Sequence, residues 1–333
     1  MENTSVRPFV TVILVTRNEK NHIEASLNSL FNQTYPKECY EIVIVDGMST
    51  DETPDIINRL AESYNKSNLE IRIFQNPKKI LSAGWNIGIK EAKGNYVVRI
   101  DAHAEAASNF IEKSVETMMR VDAVCVGGKL TTKSLPGDKT VISKVLSSRF
   151  GVGGSSFRVS NTEGYADTAV YGLYKKEIFE KVGYFNESFV RNQDIEMHGR
   201  IKRAGGKFYF NPEIECIYYA RNSTAKMMRQ AHGNGKWNMI LFKKAKASLS
   251  IRHLVPFAFV LFLLFAIVGG CFYWPIWLVG AGVLLLHLTL GLIAGIAKTK
   301  RFVEFIQMPI LFMLLHISYG IGYFSGIFKR IKD

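Results

Sequence analysis

Between Leu254 and Ala297 the chain carries no Asp, Glu, Lys or Arg, whereas charged residues are spread through the preceding sequence up to about Lys246. An uncharged run of that length divides the chain into a polar N-terminal part and a hydrophobic C-terminal part. His253 to Trp274 and Pro275 to Ala297 are each long enough to cross about 30 Å of hydrocarbon as a helix. They predict a hairpin: basic residues before the first and after the second place both ends inside, and Tyr273, Trp274 and Trp277 cluster at the outer interface. A third apolar stretch, Phe302 to Phe328, is interrupted by Pro309 and contains Gly320, Gly322 and Gly326. It reads as a third span, with an interfacial or re-entrant segment as the alternative, because a full crossing leaves Lys329, Arg330 and Lys332 outside. His287 and His316 are expected to face neighbouring helices rather than lipid.

The net charge is +13. Many of the basic residues stand just before or between the apolar segments: Arg221, Lys226, Arg229, Lys236, Lys243, Lys244, Lys246 and Arg252, then Lys298, Lys300 and Arg301. That placement points to anionic headgroups on the cytoplasmic face and away from nucleic acid. The opening MENTSVRP is polar and short, which predicts no signal peptide and a cytoplasmic N-terminal domain. The reading is a multi-pass protein of the cell membrane. Cys39, Cys125, Cys216 and Cys271 form no C-x-x-C pair and are expected to be reduced thiols, not a zinc or redox motif.

The N-terminal half alternates strands and helices. Phe9 to Val15 is a β-branched apolar run; a polar turn, Thr16-Arg17-Asn18-Glu19, leads to a helix with Asn21 as the expected cap and Ile23, Leu27, Leu30 and Phe31 on one face. A second strand, Glu41 to Val45, ends at Asp46-Gly47, and a second helix opens at Thr53-Pro54. Strand three is Leu69 to Phe74, a helix covers Ala83 to Ala92, and strand four, Tyr96 to Ile100, stops at Asp101. Continuous apolar strands between helices imply an α/β fold, Rossmann-like, with a mostly parallel sheet covered on both faces. Ligands in such sheets bind outside the carboxyl ends of the strands. Thr16, Asp46, Asn76 and Asp101 all fall at those ends.

A nucleotide at that rim needs acceptors for base and ribose and neutralisation of its diphosphate. Asp46 can accept from a base N–H or a ribose hydroxyl, while Arg17 and Lys78 or Lys79 can reach phosphate oxygens. No G-x-G-x-x-G follows the first strand and no P-loop occurs, which counts against a dinucleotide oxidoreductase and a P-loop NTPase. The diphosphate charge then falls mainly to a metal. Asp101 and His103, two apart at a strand end, point the same way and can grip one divalent ion, Mg²⁺ or Mn²⁺. The imidazole moves the preference modestly toward Mn²⁺.

TVILVTRNE, EIVIVDGMSTDET, LSAGWNIGIKEAKGNYVVRIDAHAE and ADTAVYGLYKKEIFEKVGYFNESFVRNQDIEMHGRIKRAGGKFYF span about Phe9 to Phe210. In combination they resemble family 2 glycosyltransferases of the GT-A fold, close to the succinoglycan-biosynthesis type. The resemblance implies a nucleotide-sugar site drawn from Thr16, Arg17, Asn18, Glu19, Asp46, Asn76, Lys79, Asn86 and Asp101. Asp46 would hold uracil or ribose of a UDP-sugar, Asp101 and His103 would stand where the family's Asp-x-Asp motif binds metal, and Asp194 would be the catalytic base. Inverting transfer needs a carboxylate that takes the proton from the attacking acceptor hydroxyl. Asp194 opens a helix that Gly205-Gly206 ends, where the positive end of the helix dipole favours an anion. Glu196 is the reserve for that role. Where the family often has Glu-Asp, this sequence has Gln193-Asp194; His103 replaces a second acid; Gln230 and Lys236-Trp237 echo only loosely the Gln-x-x-Arg-Trp of processive synthases, so polymerisation is not inferred.

The expected organisation is a glycosyltransferase domain over 1–245, nucleotide-binding over 1–105 and acceptor-binding and catalytic over 106–245, followed by a membrane anchor over 246–333. Phe150 to Arg158, glycine-rich with flanking aromatic and basic residues, reads as a flexible loop on the acceptor side. An anchor beside a transferase points to a lipid-linked glycan acceptor. Two alternatives stay open: a polyprenyl-phosphate monosaccharide synthase, and a non-catalytic membrane scaffold with a degenerate nucleotide-binding fold.

Overall fold

The structure, a computed structural model, describes residues 7–64, 67–134, 138, 140–220, 223–245 and 248–329. Arg221, Lys246, Arg330 and Lys332 of the basic set lie outside them. The chain forms two compact units: Met1–Thr131 with Ser160–Tyr218, and Thr132–Val159 with Tyr219–Asp333.

The first unit opens with the expected alternation: β1 (Val10–Thr16), α1 (Ile23–Phe31), β2 (Tyr40–Asp46), α2 (Thr53–Tyr64), β3 (Glu70–Gln75), α3 (Leu81–Glu91) and β4 (Tyr96–Asp101). Then come β5 (Ala104–Ala106), α4 (Phe110–Arg120) and β6 (Cys125–Lys133). Three short helices of the second unit intervene, α5 (Ile142–Leu146), α6 (Arg149–Val152) and α7 (Ser156–Val159), before β7 (Gly164–Ala166), β8 (Leu173–Lys175), α8 (Glu177–Val182), α9 (Gln193–Arg203) and β9 (Phe208–Tyr219). The strands make one nine-stranded sheet in the order β3-β2-β1-β4-β8-β6-β9-β5, with β7 on β9.

The first four strands are parallel, but β8 runs antiparallel to β4 and β6, and β5 and β7 antiparallel to β9. The mostly parallel expectation therefore holds for β1 to β4, and the sheet as a whole is mixed. After β4 the chain enters β5 across Ala102-His103, too short a link for the helical crossover that a parallel neighbour requires.

Register places the strand ends together: Thr16 pairs with Asp46 and Val15 with Asp101. Helix α3 lies close on this sheet because Gly84 and Gly88, one turn apart, face Val15 and Ile13, and a Cβ at either would overlap those side chains. Asn21 does not cap α1; the helix starts after His22 with no side-chain cap, and the Glu19 carbonyl accepts from the Ile23 N–H at 2.9 Å. Thr53 does open α2, yet its hydroxyl accepts from the Glu19 N–H at 2.8 Å, tying that helix to the turn after β1. Beneath the sheet the fully buried Glu41 carboxylate accepts from the Thr11 hydroxyl at 2.6 Å, Arg72 Nε and Nη2 at 2.9 and 2.7 Å, and the Lys93 N–H at 2.8 Å.

The second unit holds α5 to α7 together with α10 (Thr224–Lys244), α11 (Val255–Gly270), α12 (Pro275–Ile296) and α13 (Phe302–Ile327). Helices α12 and α13 are long and apolar enough to cross a membrane; α11, with 16 residues, is shorter. The first expected span therefore shrinks to Val255–Gly270, where Gly269-Gly270 and the turn before Pro275 end it. Pro309 does not break the third segment, which is one helix of 26 residues. Gly291 of α12 faces Pro309 and gives its ring room.

Helix α10 lies along α13 with backbone almost touching backbone: Gly322 faces the His232 carbonyl, Gly326 that of Lys236, and Gly235 that of Tyr319. Small residues four apart allow such close approach between two helices. His232 bonds the Ser325 hydroxyl at 2.9 Å, and Lys243 donates to the last carbonyls of α13. The segment expected as a flexible loop instead carries the end of α6 and most of α7, with Gly153 to Ser155 between them. The Phe150 ring lies 5.0 Å from Phe312 and 5.3 Å from His316, and Ser148 caps α6. His287 and His316 meet at 3.0 Å between α12 and α13, as their apolar setting predicted.

Candidate active site

A cleft of about 220 Å³ opens at the carboxyl ends of β1 and β4. Thr16, Arg17, Glu19, Asn76, Lys79, Asp101 and His103, all singled out from the sequence, line it together with Gly47, Ile80, Leu81 and other backbone neighbours. Three of these present buried polar atoms with no hydrogen-bond partner among the described residues: Thr16 Oγ1, Asn76 Oδ1 and Asp101 Oδ1. An orphaned buried acceptor costs about 1–3 kcal/mol, so three around one cleft mark a place built for a polar guest.

The remaining rim residues hold the backbone. Asp46 is buried and spends both oxygens on Ser49, from the N–H at 3.0 Å and from the hydroxyl at 2.6 Å. It stands at the rim through its neighbour Gly47 and not as a lining side chain. Asn18 clamps the facing loop, its side-chain oxygen accepting from the Thr50 N–H at 2.8 Å and its own N–H donating to Ser49 Oγ at 2.9 Å. Asn86 lies away from the cleft and pins the segment after α8, donating to the Phe185 carbonyl and accepting from its N–H, each at 2.9 Å. Lys78 pairs with Glu187 at 2.6 Å.

Asn18, Met48, Lys79, Tyr171 and Asn192 all adopt left-handed backbone, with φ between 46° and 58°. Such conformations cost non-glycine residues about 1–3 kcal/mol and concentrate where function over-determines the backbone. Here three sit in the loops around the cleft, Tyr171 touches Asp101, and Asn192 precedes the helix bearing Asp194.

The Tyr171 hydroxyl donates to Asp101 Oδ2 at 3.2 Å. Burial, and then the adjacent Asp101 carboxylate, push the phenol well above its ordinary pKa, so it stays a donor. Nothing in the sequence marks Tyr171, 70 positions from its partner. His103 Nδ1 lies 3.3 Å from Glu19 Oε1. Asp101 and His103 thus both face the cleft, and the unpartnered Asp101 Oδ1 is the kind of atom a divalent cation takes. Among the described residues no group of three or more His, Cys, Asp and Glu could hold a metal, so a cation here would complete its shell with oxygens from outside the chain.

Asp194 occupies the first turn of α9, where its Oδ1 accepts from the Ile195 N–H at 2.9 Å, and it does not line the cleft. One turn on, the buried His198 imidazole is held at both nitrogens, Nδ1 at 2.7 Å from the Thr168 hydroxyl and Nε2 at 2.7 Å from that of Tyr174. Burial, with Arg99 and Lys202 adding to it, keeps His198 well below the usual imidazole range and therefore neutral. Thr168 and Tyr171 share one short segment, which links the helix of Asp194 to Asp101. Glu196, the reserve base, is held by Arg200 at 2.8 Å.

The profile of the family described as glycosyl transferase family 2 matches residues 11–183. The chain belongs to glycosyltransferase family 2. A similar protein of this family, the dolichyl N-acetyl-alpha-D-glucosaminyl phosphate 3-beta-D-2,3-diacetamido-2,3-dideoxy-beta-D-glucuronosyltransferase of Methanococcus voltae, is 33% identical over 96% of this chain and 98% of its own length. The succinoglycan biosynthesis protein ExoA of Rhizobium meliloti is 30% identical over 74% of each chain. Among solved structures, the mannosyltransferase PcManGT of Pyrobaculum calidifontis, in complex with GDP-Man and Mn²⁺, superposes with a TM-score of 0.60 at 20% identity, covering 95% of this glycosyltransferase and 88% of that chain. The fold is the GT-A fold, and the family 2 enzyme works in glycan biosynthesis.

Proposed function

We propose that this glycosyltransferase moves a sugar, with inversion, from a UDP-sugar to a lipid-linked glycan at the membrane. The observation that carries the reading is the cleft itself, whose unpartnered Thr16, Asn76 and Asp101 atoms stand at the carboxyl ends of parallel strands, where such sheets bind nucleotides. The solved neighbour with GDP-Man and Mn²⁺ supports a nucleotide-sugar and a divalent ion. The names of the Methanococcus and Rhizobium relatives support a glycan acceptor, lipid-linked in the first. In this reading 1–105 handles the donor, 106–245 the acceptor and the chemistry, and 246–333 holds the enzyme to the cytoplasmic face of the cell membrane.

Asp101 and His103 would hold the Mg²⁺ or Mn²⁺ ion, which supplies neutralisation of the diphosphate charge. Arg17 and Lys79 add positive charge to the same edge, Arg17 being steadied by the Lys79 carbonyl at 3.4 Å. Asp194 takes the proton of the acceptor hydroxyl as its oxygen bonds to the anomeric carbon; the bond from that carbon to the diphosphate oxygen breaks, and the nucleoside diphosphate leaves from the opposite face.

The test is Asp194→Asn, assayed with UDP- and GDP-sugars with and without Mn²⁺. Turnover should fall by at least about 10³-fold with donor affinity retained; undiminished turnover sinks the assignment of the base. Product analysis addresses the rival in the same family. A sugar carried on a lipid monophosphate would mean a polyprenyl-phosphate monosaccharide synthase, whereas a lipid-linked glycan lengthened by one sugar would mean transfer to a glycan acceptor.

A further inference from the structure

Two residues of the first unit, far apart in sequence, divide one carboxylate between them and the cleft. The Tyr171 hydroxyl occupies Asp101 Oδ2, while Asp101 Oδ1 is buried without a partner in the cleft wall. We infer that Tyr171 is a positioning residue for Asp101: its hydroxyl fixes the carboxylate so that Oδ1 alone is offered to a divalent cation. This rests on the reading of Asp101 as a metal ligand.

Three features of Tyr171 fit that role. Its side chain is buried, so the phenol has few geometries open to it. Its backbone is left-handed at φ 46°, an unfavourable conformation for an aromatic residue that persists only when the surroundings require it. The next residue, Gly172, lies so close to Cys125 that a Cβ would stand 2.6 Å from its sulfur, which fixes the point where the turn enters β8. The tyrosine is thus a buried donor on a backbone fixed at Gly172.

The chemistry of the donor matters as much as its place. An arginine or lysine on Oδ2 would neutralise the carboxylate and compete with the cation. A neutral hydroxyl donating one hydrogen bond to Oδ2 orients the group and leaves its charge for the metal. Outer partners of this kind set the direction of a ligand's lone pairs, and their loss weakens metal binding about 10–100-fold. Among the described residues no other hydrogen-bond donor reaches the Asp101 carboxylate at the end of β4, so Tyr171→Phe removes the constraint with one atom.

The experiment titrates Mn²⁺ into the detergent-solubilised full chain and follows free Mn²⁺ by electron paramagnetic resonance, comparing wild type, Tyr171→Phe, Asp101→Asn and the double variant. Tyr171→Phe should weaken Mn²⁺ binding about 10–100-fold with its melting curve kept, and should add nothing in the Asp101→Asn background. In turnover, the Mn²⁺ concentration for half-maximal rate should rise by the same factor while the rate at saturating Mn²⁺ recovers, a split that a general loss of structure would not give. Unchanged Mn²⁺ affinity in a folded Tyr171→Phe overturns the inference. Unchanged affinity in Asp101→Asn overturns instead the metal assignment beneath it. Should Tyr171→Phe lose its cooperative melt, 4-fluorophenylalanine at position 171, which fills the space of the hydroxyl but cannot donate, carries the same comparison, and an unmoved Mn²⁺ constant there overturns the inference as well.

Discussion

The guanidinium carbon of Arg99 lies 3.6 Å from the centre of the Trp85 ring, and Phe185 and Tyr174 stand 4.9 and 5.7 Å from it. This cation is buried at 3% exposure, with no carboxylate bridging to it among the described residues, and its Nε and Nη1 lack hydrogen-bond partners there. The rings return about 2 kcal/mol at a desolvated site, less than the several kcal/mol that burying an ion costs. Arg99→Met should therefore leave stability within about 1 kcal/mol of wild type or raise it, as read from urea unfolding. A loss above about 3 kcal/mol would mean that the charge has a strong partner and that this electrostatic account is wrong.

Glu41 presents the opposite case, a buried carboxylate with four donors on it. Glu41→Gln keeps the volume but turns two acceptor oxygens into one and sets an amide against Arg72. Breaking one side of a buried pair costs about 3–5 kcal/mol, reduced here because the Arg72 side chain is 22% exposed. A drop of about 2–3 kcal/mol is expected in thermal or chemical melts, with donor affinity unchanged because the network lies at the far end of the strands from the cleft.

His198 makes stability pH-dependent. Its pKa in the folded protein is lowered, so below the ordinary imidazole value of about 6.5 the unfolded chain binds a proton that the native chain refuses. The contribution is complete above about pH 6.5 and is lost as the pH falls toward the folded value, by up to about 1.4 kcal/mol per unit. Melts between pH 7.5 and pH 5 should show this slope, flattened in His198→Gln. An equal slope in the variant would place the titration elsewhere.

Gly84 admits no side chain without displacing α3 from Val15. Gly84→Ala should cost about 1–3 kcal/mol, the range for overpacking, even though alanine favours helices. Because the start of α3, Ile80 and Leu81, lines the cleft, the KM for donor should rise as well. A variant more stable than wild type would show that the helix shifts freely.

The sequence alone exposed whatever local pattern encodes. Apolar runs marked β1 to β4, and their common ends led to Thr16, Asn76, Asp101 and His103, which the structure brings to one cleft. Antiparallel β8 escaped notice because three residues carry too little periodicity, and its place between β4 and β6 is decided by tertiary pairing. Tyr171 escaped for the same reason: a hydroxyl reaching across 70 residues leaves no local trace. Asn86 and Asp46 have polar side chains near the right turns, and the fold engages them with Phe185 and Ser49. Phe150 to Arg158 looked loose because its glycines hid a packing partner, Phe312, lying far along the chain.

The intimate seam between α10 and α13 bears on any attempt to free the transferase from detergent. A chain severed after residue 245 would retain α10 while discarding Met308, Phe312 and Leu315 of α13, which pack against Met227 and Ala231, and would strand Val141, Ile142 and Val145 of the same cluster. The severed protein would carry a greasy scar and self-associate, whereas a version that leaves α13 attached to α10 and dresses its exposed apolar side in polar residues would keep both partners covered.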